Sequence, residues 1–141
     1  MCLLFMVKDR EPEHPLIILF NRDEGFKKNT KPLHWWEDSE EDVRVCAGRD
    51  LEKGGTWAGI TRSGRLGMMT FVRKTRESIT PKVARGELVP RWLRSSHSVD
   101  EHVDVLASER DKTLGYNLVF GDLENQYHYD NHSGILTPLE T

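Results

Sequence analysis

The apolar residues of this chain fall in short runs, and this restricts its fold more than any other feature of the sequence. The two longest runs are Met1–Val7 and Leu16–Phe20. Both are far shorter than the roughly 20 residues of a membrane-spanning helix, so we predict no transmembrane segment and no signal peptide. Their length, and the polar "KDREPEHP" between them, predict two strands of an antiparallel pair.

Further strands are predicted where short apolar segments are bounded by turn residues. They are Val43–Ala47, Thr56–Thr61, Arg65–Val72, Tyr116–Gly121 and Gln126–Tyr129. The charged stretch "NRDEGFKKNTKP" is broken by Gly25 and Pro32 and is predicted to be a loop. The tail "SGILTPLET" ends where one more strand would be expected.

Two helices are predicted in the middle of the chain. The first has one apolar face, made of Leu88, Val89, Trp92 and Leu93. Pro90 indicates that this helix begins near Val89 or is kinked there. In the second, Ser98 and Glu101 fit a capping box, and the buried stripe is Val99, Val103 and Leu106. Strands clustered around a helical pair predict an α+β fold, with helices on one face of a mostly antiparallel sheet.

The composition excludes several classes of protein. The chain has 141 residues, 37% of them hydrophobic, and its net charge of −3 comes from 20 basic and 23 acidic residues without a long block of one sign. A single globular domain is expected, and nucleic acid is not an expected partner. Cys2 and Cys46 are far apart and form no CxxC pair, which favours a reducing, cytoplasmic compartment over a disulfide framework.

Cys2 is the first candidate for chemistry. Removal of Met1 would leave this residue with both a thiol and a free α-amine, whose pKa is typically near 7.7–8.0. Such an amine can accept the thiol proton and activate the sulfur as a nucleophile. The alternative is that Cys2 is simply a small apolar residue at the start of a strand.

The "NRDE" stretch follows the second strand and would lie beside Cys2 if the two strands pair. Asn21 could donate to an oxyanion, Arg22 could hold a substrate carboxylate or a thiolate, and Asp23 could orient the α-amine. The alternative is a solvated turn with a local Asx hydrogen bond.

The glycines of "GGTWAGI" permit a close approach of the backbone to another group. Gly54, Gly55, Thr56 and Trp57 are therefore predicted binding residues, although Trp57 could instead anchor the core. Trp36 is predicted to lie either at the rim of a pocket or under the long loop.

The six histidines lack the spacing of a metal pair, so we predict no metal site. A single axial haem ligand needs no partner spacing, and haem stays open as a ligand.

These motifs together resemble the NRDE family, the transport and Golgi organisation protein 2 family. The resemblance lies in Met-Cys at the start, "NRDE", "WW", "GRD", "GGTWAGI", "GRLGMMT", "ARGELV" and "GYNLVFGDL". The family is similar to the N-terminal nucleophile hydrolases, whose fold is a four-layer αββα sandwich. The resemblance implies that Cys2 is the nucleophile, with Asn21, Arg22, Asp23 and Glu24 as its supporting residues.

The family is associated with Golgi organisation, protein secretion, haem mobilisation from mitochondria or storage organelles, and lipid metabolism. The resemblance therefore implies trafficking of haem or a lipophilic metabolite, with Golgi or mitochondrial association. Cleavage of a non-peptide amide by Cys2 is the alternative function.

Two departures from the family pattern count against catalysis. Phe71 stands where family members usually carry Asn, and family members are longer, so residues 1–141 are expected to form one domain without the second half of the fold. An incomplete sandwich would leave apolar faces exposed and favour self-association.

Overall fold

A computed structural model describes residues 2–72 and 83–140, so Met1 and its predicted removal lie outside the described residues. The described residues form nine strands, two α-helices and three 3₁₀ turns. The strands are β1 Leu3–Lys8, β2 Leu16–Asn21, β3 Thr30–Trp35, β4 Val45–Asp50, β5 Ala58–Thr61, β6 Leu66–Phe71, β7 Tyr116–Gly121, β8 Gln126–Asp130 and β9 Ile135–Pro138. The helices are α1 Leu88–Arg94 and α2 Val99–Ser108, and the 3₁₀ turns are Glu41–Val43, Arg85–Glu87 and Arg110–Lys112.

The strands form two antiparallel sheets. Strands β3 to β9 lie side by side in chain order as a seven-stranded sheet, and β1 pairs with β2. Both helices pack on one face of the large sheet. Leu93 of α1 and Leu106 of α2 belong to the same buried cluster as Phe120 of β7. The β1–β2 hairpin packs on the opposite face against Met68 and Val119. The predicted α+β class, with antiparallel sheets and helices on one face, is confirmed.

Strand β3 is the main error in the predicted elements. Residues up to Pro32 are predicted to be loop, yet β3 begins at Thr30 and pairs with β4. It is an edge strand, and its register shifts between Lys31 and His34. Proline is tolerated at such a position because an edge strand leaves part of its backbone unpaired. The strand expected near the end of the chain lies within the tail itself, as β9.

Both helices follow local signals. Helix α1 begins at Leu88, so Pro90 is its third residue, where a backbone N–H would have no intrahelical partner. Helix α2 is capped as predicted, since the Ser98 side chain accepts from the Glu101 backbone and the Glu101 carboxylate accepts from the Ser98 backbone. These contacts satisfy donors that the first turn of a helix leaves without partners.

Helix α1 lies close to the sheet because β5 carries a glycine beneath it. A Cβ at Gly59 would lie 2.9 Å from Leu93 Cδ1 and 2.9 Å from Ala47 Cβ. A larger residue there would force the Leu93 side chain or Ala47 to shift. The Trp92 indole, on the same helix, donates to the Leu66 carbonyl of β6 at 2.9 Å, which fixes the helix against the sheet.

The β1–β2 hairpin is apolar on both faces. Leu4, Ile18 and Phe20 pack against the large sheet. On the opposite face, Leu3 is 64% exposed, Phe5 58% and Leu19 61%. The register pairs Leu3 with Asn21, so Cys2 and Arg22, the next residues out along each strand, lie at the same end of the hairpin.

Candidate functional site

A cavity of about 450 Å³ opens at that end of the hairpin. It lies where the start of β1, the loop after β2, the turn before β5, the end of β6 and the Arg85–Glu87 turn meet. Seven of the predicted site residues line it, namely Cys2, Arg22, Asp23, Glu24, Gly55, Thr56 and Trp57. The structure thus brings residues of "NRDE" and of "GGTW", two motifs that the sequence treats separately, to one cavity.

Three predicted site residues lie elsewhere. Asn21 is exposed and pairs with Leu3 in the hairpin, and Gly54 belongs to the turn before β5, where its N–H donates to the Asp50 carbonyl at 2.7 Å. Trp36 is fully buried in the core, and its indole donates to the Ala47 carbonyl at 3.2 Å. Trp36 therefore does not form a pocket rim, because its ring is needed to fill the space beneath the helices.

The turn before β5 shapes one wall of the cavity. The Asp50 carboxylate accepts from the backbone N–H groups of Glu52 and Lys53, at 2.9 and 3.1 Å, in an Asx turn. Beyond it the chain passes very close to the 3₁₀ turn, since a Cβ at Gly55 would lie 2.3 Å from the Gly86 carbonyl oxygen. Thr56 N–H donates to that oxygen at 3.0 Å. Glycine at position 55 is thus a steric requirement of this wall.

The Arg22 guanidinium lies over the ring of Trp57. Its guanidinium carbon is 4.1 Å from the ring centroid, which is cation–π geometry. Its Nη2 is 3.8 Å from the Glu24 carboxylate, and the side chain is 21% exposed. Trp57 thereby acts as a cavity wall, one of the two roles that the sequence left open, and it orients the arginine.

A second arginine in the lining of the cavity was not predicted. The Arg85 guanidinium lies 3.9 Å from the ring centroid of Phe71, and its Nη1 donates to the Gly115 carbonyl at 2.8 Å. Arg85 falls within "ARGELV", and no spacing in that stretch marks it as a site residue. Phe71, which cannot serve as a hydrogen-bond donor, instead supports a guanidinium on the cavity wall.

Acidic and basic side chains alternate at the mouth of the cavity. Lys28 lies 3.3 Å from Asp50 and 2.8 Å from Glu52. The hydrogen bond that the Lys28 ammonium donates to the Glu52 carboxylate raises the pKa of Lys28. Partial burial works to raise the pKa of Asp50, but the backbone N–H groups of Glu52 and Lys53 and the nearby Lys28 hold it below its usual range. This charged mouth stays ionised at neutral pH.

The described residues of the cavity combine one thiol, two guanidinium groups on aromatic rings, and an apolar floor that includes Met69. Such a site can hold an anionic group and present it to a nucleophile. Across residues 2–72 and 83–140, no cluster of His, Cys, Asp and Glu side chains is arranged to bind a metal ion. No helix in the same ranges has the length and hydropathy needed to cross a bilayer.

Known proteins are similar in sequence to this chain over most of its length. The family model described as Transport and Golgi organisation 2 matches residues 1–140. The Transport and Golgi organization 2 homolog of Mus musculus is 31% identical over 130 residues, which is 87% of this chain and 46% of that protein. Transport and Golgi organization protein 2 of Drosophila melanogaster is 30% identical over 134 residues, 84% of this chain and 45% of that protein. The chain thus spans about half the length of these relatives. It belongs to the Transport and Golgi organisation 2 family.

Proposed function

We propose that this chain binds a small molecule with a carboxylate group and an apolar body in the Cys2 cavity, as part of a transport and Golgi-organisation role. The observation that carries the proposal is the pair of guanidinium groups, Arg22 on Trp57 and Arg85 on Phe71, on the walls of one cavity. The relatives named for transport and Golgi organization support the cellular role.

An arginine that lies over an aromatic ring carries its N–H donors in the plane of the guanidinium, where a carboxylate can meet them. A carboxylate accepts two such bonds from one arginine, and charge-assisted bonds of this kind are about twice as strong as neutral ones. The rings of Trp57 and Phe71 and the side chain of Met69 offer apolar surface to the body of the same ligand. A lipophilic carboxylate is therefore the ligand class that the cavity supports best.

Haem belongs to this class, because it joins two propionates to an apolar macrocycle. The Cys2 thiolate is also a group that can ligate haem iron. Haem is thus the first ligand to test, as transported cargo. A titration of the chain with micromolar haem should shift the Soret band, and an unchanged spectrum would count against haem as the ligand.

Charge-neutralising variants test the arginine pair. We expect Arg22→Gln and Arg85→Gln each to weaken binding about tenfold or more, because each removes a charge-assisted hydrogen bond. Arg62→Gln is the matched control, since Arg62 is an exposed arginine that pairs with Glu41 outside the cavity. Equal affinities in all three variants would overturn the proposed binding mode.

Hydrolysis of an amide is the second candidate function, because Cys2 lines the same cavity as Arg22 and Asp23. In that reaction the Cys2 sulfur attacks the amide carbonyl carbon. A C–S bond forms, the C–N bond breaks, and the thiol proton passes through the α-amine to the departing amine. Water then cleaves the thioester, which releases a carboxylic acid and restores the thiol.

Two measurements test this chemistry. Intact-mass spectrometry should show that Met1 is absent, since the α-amine base does not exist otherwise. Cys2 should react faster with iodoacetamide than Cys46, and Cys2→Ala should abolish any turnover while Cys46→Ala, a change outside the cavity, retains it. Retention of Met1 would exclude the N-terminal nucleophile mechanism.

Self-association is the third property that the structure supports. The outer face of the hairpin exposes Leu3, Phe5 and Leu19, and a contiguous apolar face of this kind is typical of an interaction surface. A second copy of the chain is the occupant we propose for it. Sedimentation velocity across a range of concentrations would detect the association.

A further inference from the structure

A second cavity, of about 340 Å³, borders Cys2 on its other side. It lies between the start of β1 and the face of the large sheet that the hairpin covers. Its roof includes Cys2 and Leu4, and its floor is formed by alternate residues of β6, β7 and β8. Cys2 therefore contributes to the walls of two cavities, the charged one described above and this one.

The sheet register explains the composition of the floor. Met68 on β6 lies opposite Val119 on β7, which lies opposite His128 on β8. Two positions further along, on the same face of the sheet, Thr70 lies opposite Asn117. The floor therefore has an apolar part near the hairpin and a polar part next to it.

The polar part is held in place by one internal hydrogen bond. His128 Nε2 and Asn117 Oδ1 are 3.0 Å apart, and both side chains are partly buried. This contact leaves the other ring nitrogen of His128 and the Asn117 amide NH₂ group available to a ligand. Thr70 adds a hydroxyl that can donate or accept. The hydrogen-bonding groups of this floor are therefore an amide, an imidazole and a hydroxyl.

The two cavities differ sharply in charge. The first is lined by ionised groups that include Arg22, Arg85, Asp50 and Lys53. The described lining of the second contains no Asp, Glu, Lys or Arg. An ionised ligand group would lose more hydration in the second cavity than it could recover there, whereas an uncharged group would not.

We infer that the second cavity binds the uncharged part of the same ligand whose carboxylate is held by Arg22 and Arg85. This inference rests on the proposed function of the first cavity. The ligand class that fits both cavities is a carboxylate-bearing head joined to a short acyl group, as in an N-acyl amino acid. The bond between the two parts then lies beside Cys2, the residue that lines both cavities.

Three probes test the inference on the full chain. N-acetylglycine carries the head with almost no acyl chain, N-hexanoylglycine carries both parts, and hexanamide carries only the uncharged part. We expect N-hexanoylglycine to bind about tenfold or more tightly than N-acetylglycine, because four additional methylenes leave water. We also expect it to shift the NMR signals of the His128 ring, whereas N-acetylglycine should not shift them.

Variants separate the two cavities. Val119→Phe fills the second cavity, so it should remove the affinity difference between the two glycine conjugates. Arg22→Gln should weaken both conjugates by the same factor. If Val119→Phe does not fold, the His128 signals of the unaltered chain decide the matter.

The possible outcomes distinguish this inference from the proposed function. Failure of N-acetylglycine and N-hexanoylglycine to bind would overturn the carboxylate site, and the second cavity would then be judged by hexanamide alone. A shift of the His128 signals by hexanamide supports the second cavity as a separate site for uncharged groups. Equal affinities for the two conjugates, or His128 signals that none of the three probes shifts, would overturn the inference.

Discussion

The two faces of the seven-stranded sheet are covered to very different extents. On the helix face, Leu93, Leu106, Leu118 and Phe120 are fully buried and belong to one continuous cluster. On the hairpin face the fully buried cluster is much smaller, and the hairpin residues that pack on it, such as Ile18, are only half-buried. Both cavities that include Cys2 open beside the hairpin. The comparison shows that the well-packed face stabilises the fold, while incomplete covering of the other face leaves room for ligands.

The incompletely covered face continues beyond the hairpin. Trp35, Cys46 and Ile60 lie opposite one another on β3, β4 and β5. Trp35 is 45% exposed and Ile60 37%, and Leu33 on the same strand as Trp35 is 72% exposed. The contrast between the two faces can therefore be tested by substitutions on each of them.

The largest expected effect comes from the helix face. Trp92→Ala should lower the free energy of unfolding by about 3–5 kcal/mol, because it leaves a large cavity and removes the indole bond to Leu66. Ile18→Ala, on the hairpin side, should cost only about 1–2 kcal/mol, since that side chain is half-buried. Urea denaturation of both variants measures the difference. Equal losses would mean that the two faces are packed alike.

Acid should weaken the helix face specifically. His102 is fully buried between the rings of Trp92 and Phe120, and burial lowers its pKa to about 4. The unfolded chain has the ordinary histidine pKa near 6.5 and binds the proton more readily between these two values. Stability should therefore be complete above pH 6.5 and fall by on the order of 2–3 kcal/mol as the pH decreases towards 4.

Thermal unfolding at pH 7 and pH 4.5 measures this loss. His102→Phe should flatten the dependence, whereas His14→Gln, at an exposed histidine, should leave it as it is. If His102→Phe leaves the pH dependence of stability unchanged, the acid sensitivity belongs to other groups.

The close contact of helix and sheet can be broken by one methyl group. Gly59→Ala places a Cβ 2.9 Å from both Leu93 and Ala47, and we expect a loss of about 1–3 kcal/mol from overpacking. Gly25→Ala is the control, because a Cβ there meets no atom within 4 Å. The midpoint of chemical denaturation compares the two. A neutral Gly59→Ala would indicate that α1 can move outward at little cost.

The smallest effect on stability is expected on the outer face of the hairpin. Phe5 is 58% exposed, so Phe5→Ser should change the free energy of unfolding by no more than about 0.5 kcal/mol. The same change should reduce self-association in sedimentation velocity, whereas Glu13→Ser, in the exposed loop between β1 and β2, should not. A large loss of stability in Phe5→Ser would show that this face is packed within the monomer.

Local signals account for the elements that could be predicted. The capping box of Ser98 and Glu101 acts over three residues, and the apolar runs of β1 and β2 are long enough to mark strands by themselves. Strand β3 escaped prediction because its sequence, "TKPLHW", is polar and contains proline. It is a strand only because the neighbouring β4 supplies backbone partners, and that contact is not encoded locally.

The candidate site divides in the same way. The proximity of Cys2 and "NRDE" followed from the pairing of two adjacent strands, which a short connection makes the simplest arrangement. Arg85 and Phe71 could not be assigned because they meet only when the Arg85–Glu87 turn folds over the end of β6. Trp36 is the opposite case. It lies near "NRDE" in the chain, but it is buried in the core and not in the cavity.

The sequence by itself determined the α+β class, the hairpin, the N-terminal cap of the second helix, the family and the proximity of Cys2 to Arg22 and Asp23. Each of these depends on contacts between residues near in sequence or on motifs that are read directly. Only the tertiary structure decided that two arginines lie on aromatic rings, that Cys2 borders a charged and an uncharged cavity, and that one face of the sheet is better covered than the other. The physical reason is that these features arise from packing between distant segments, where burial and charge depend on the whole fold.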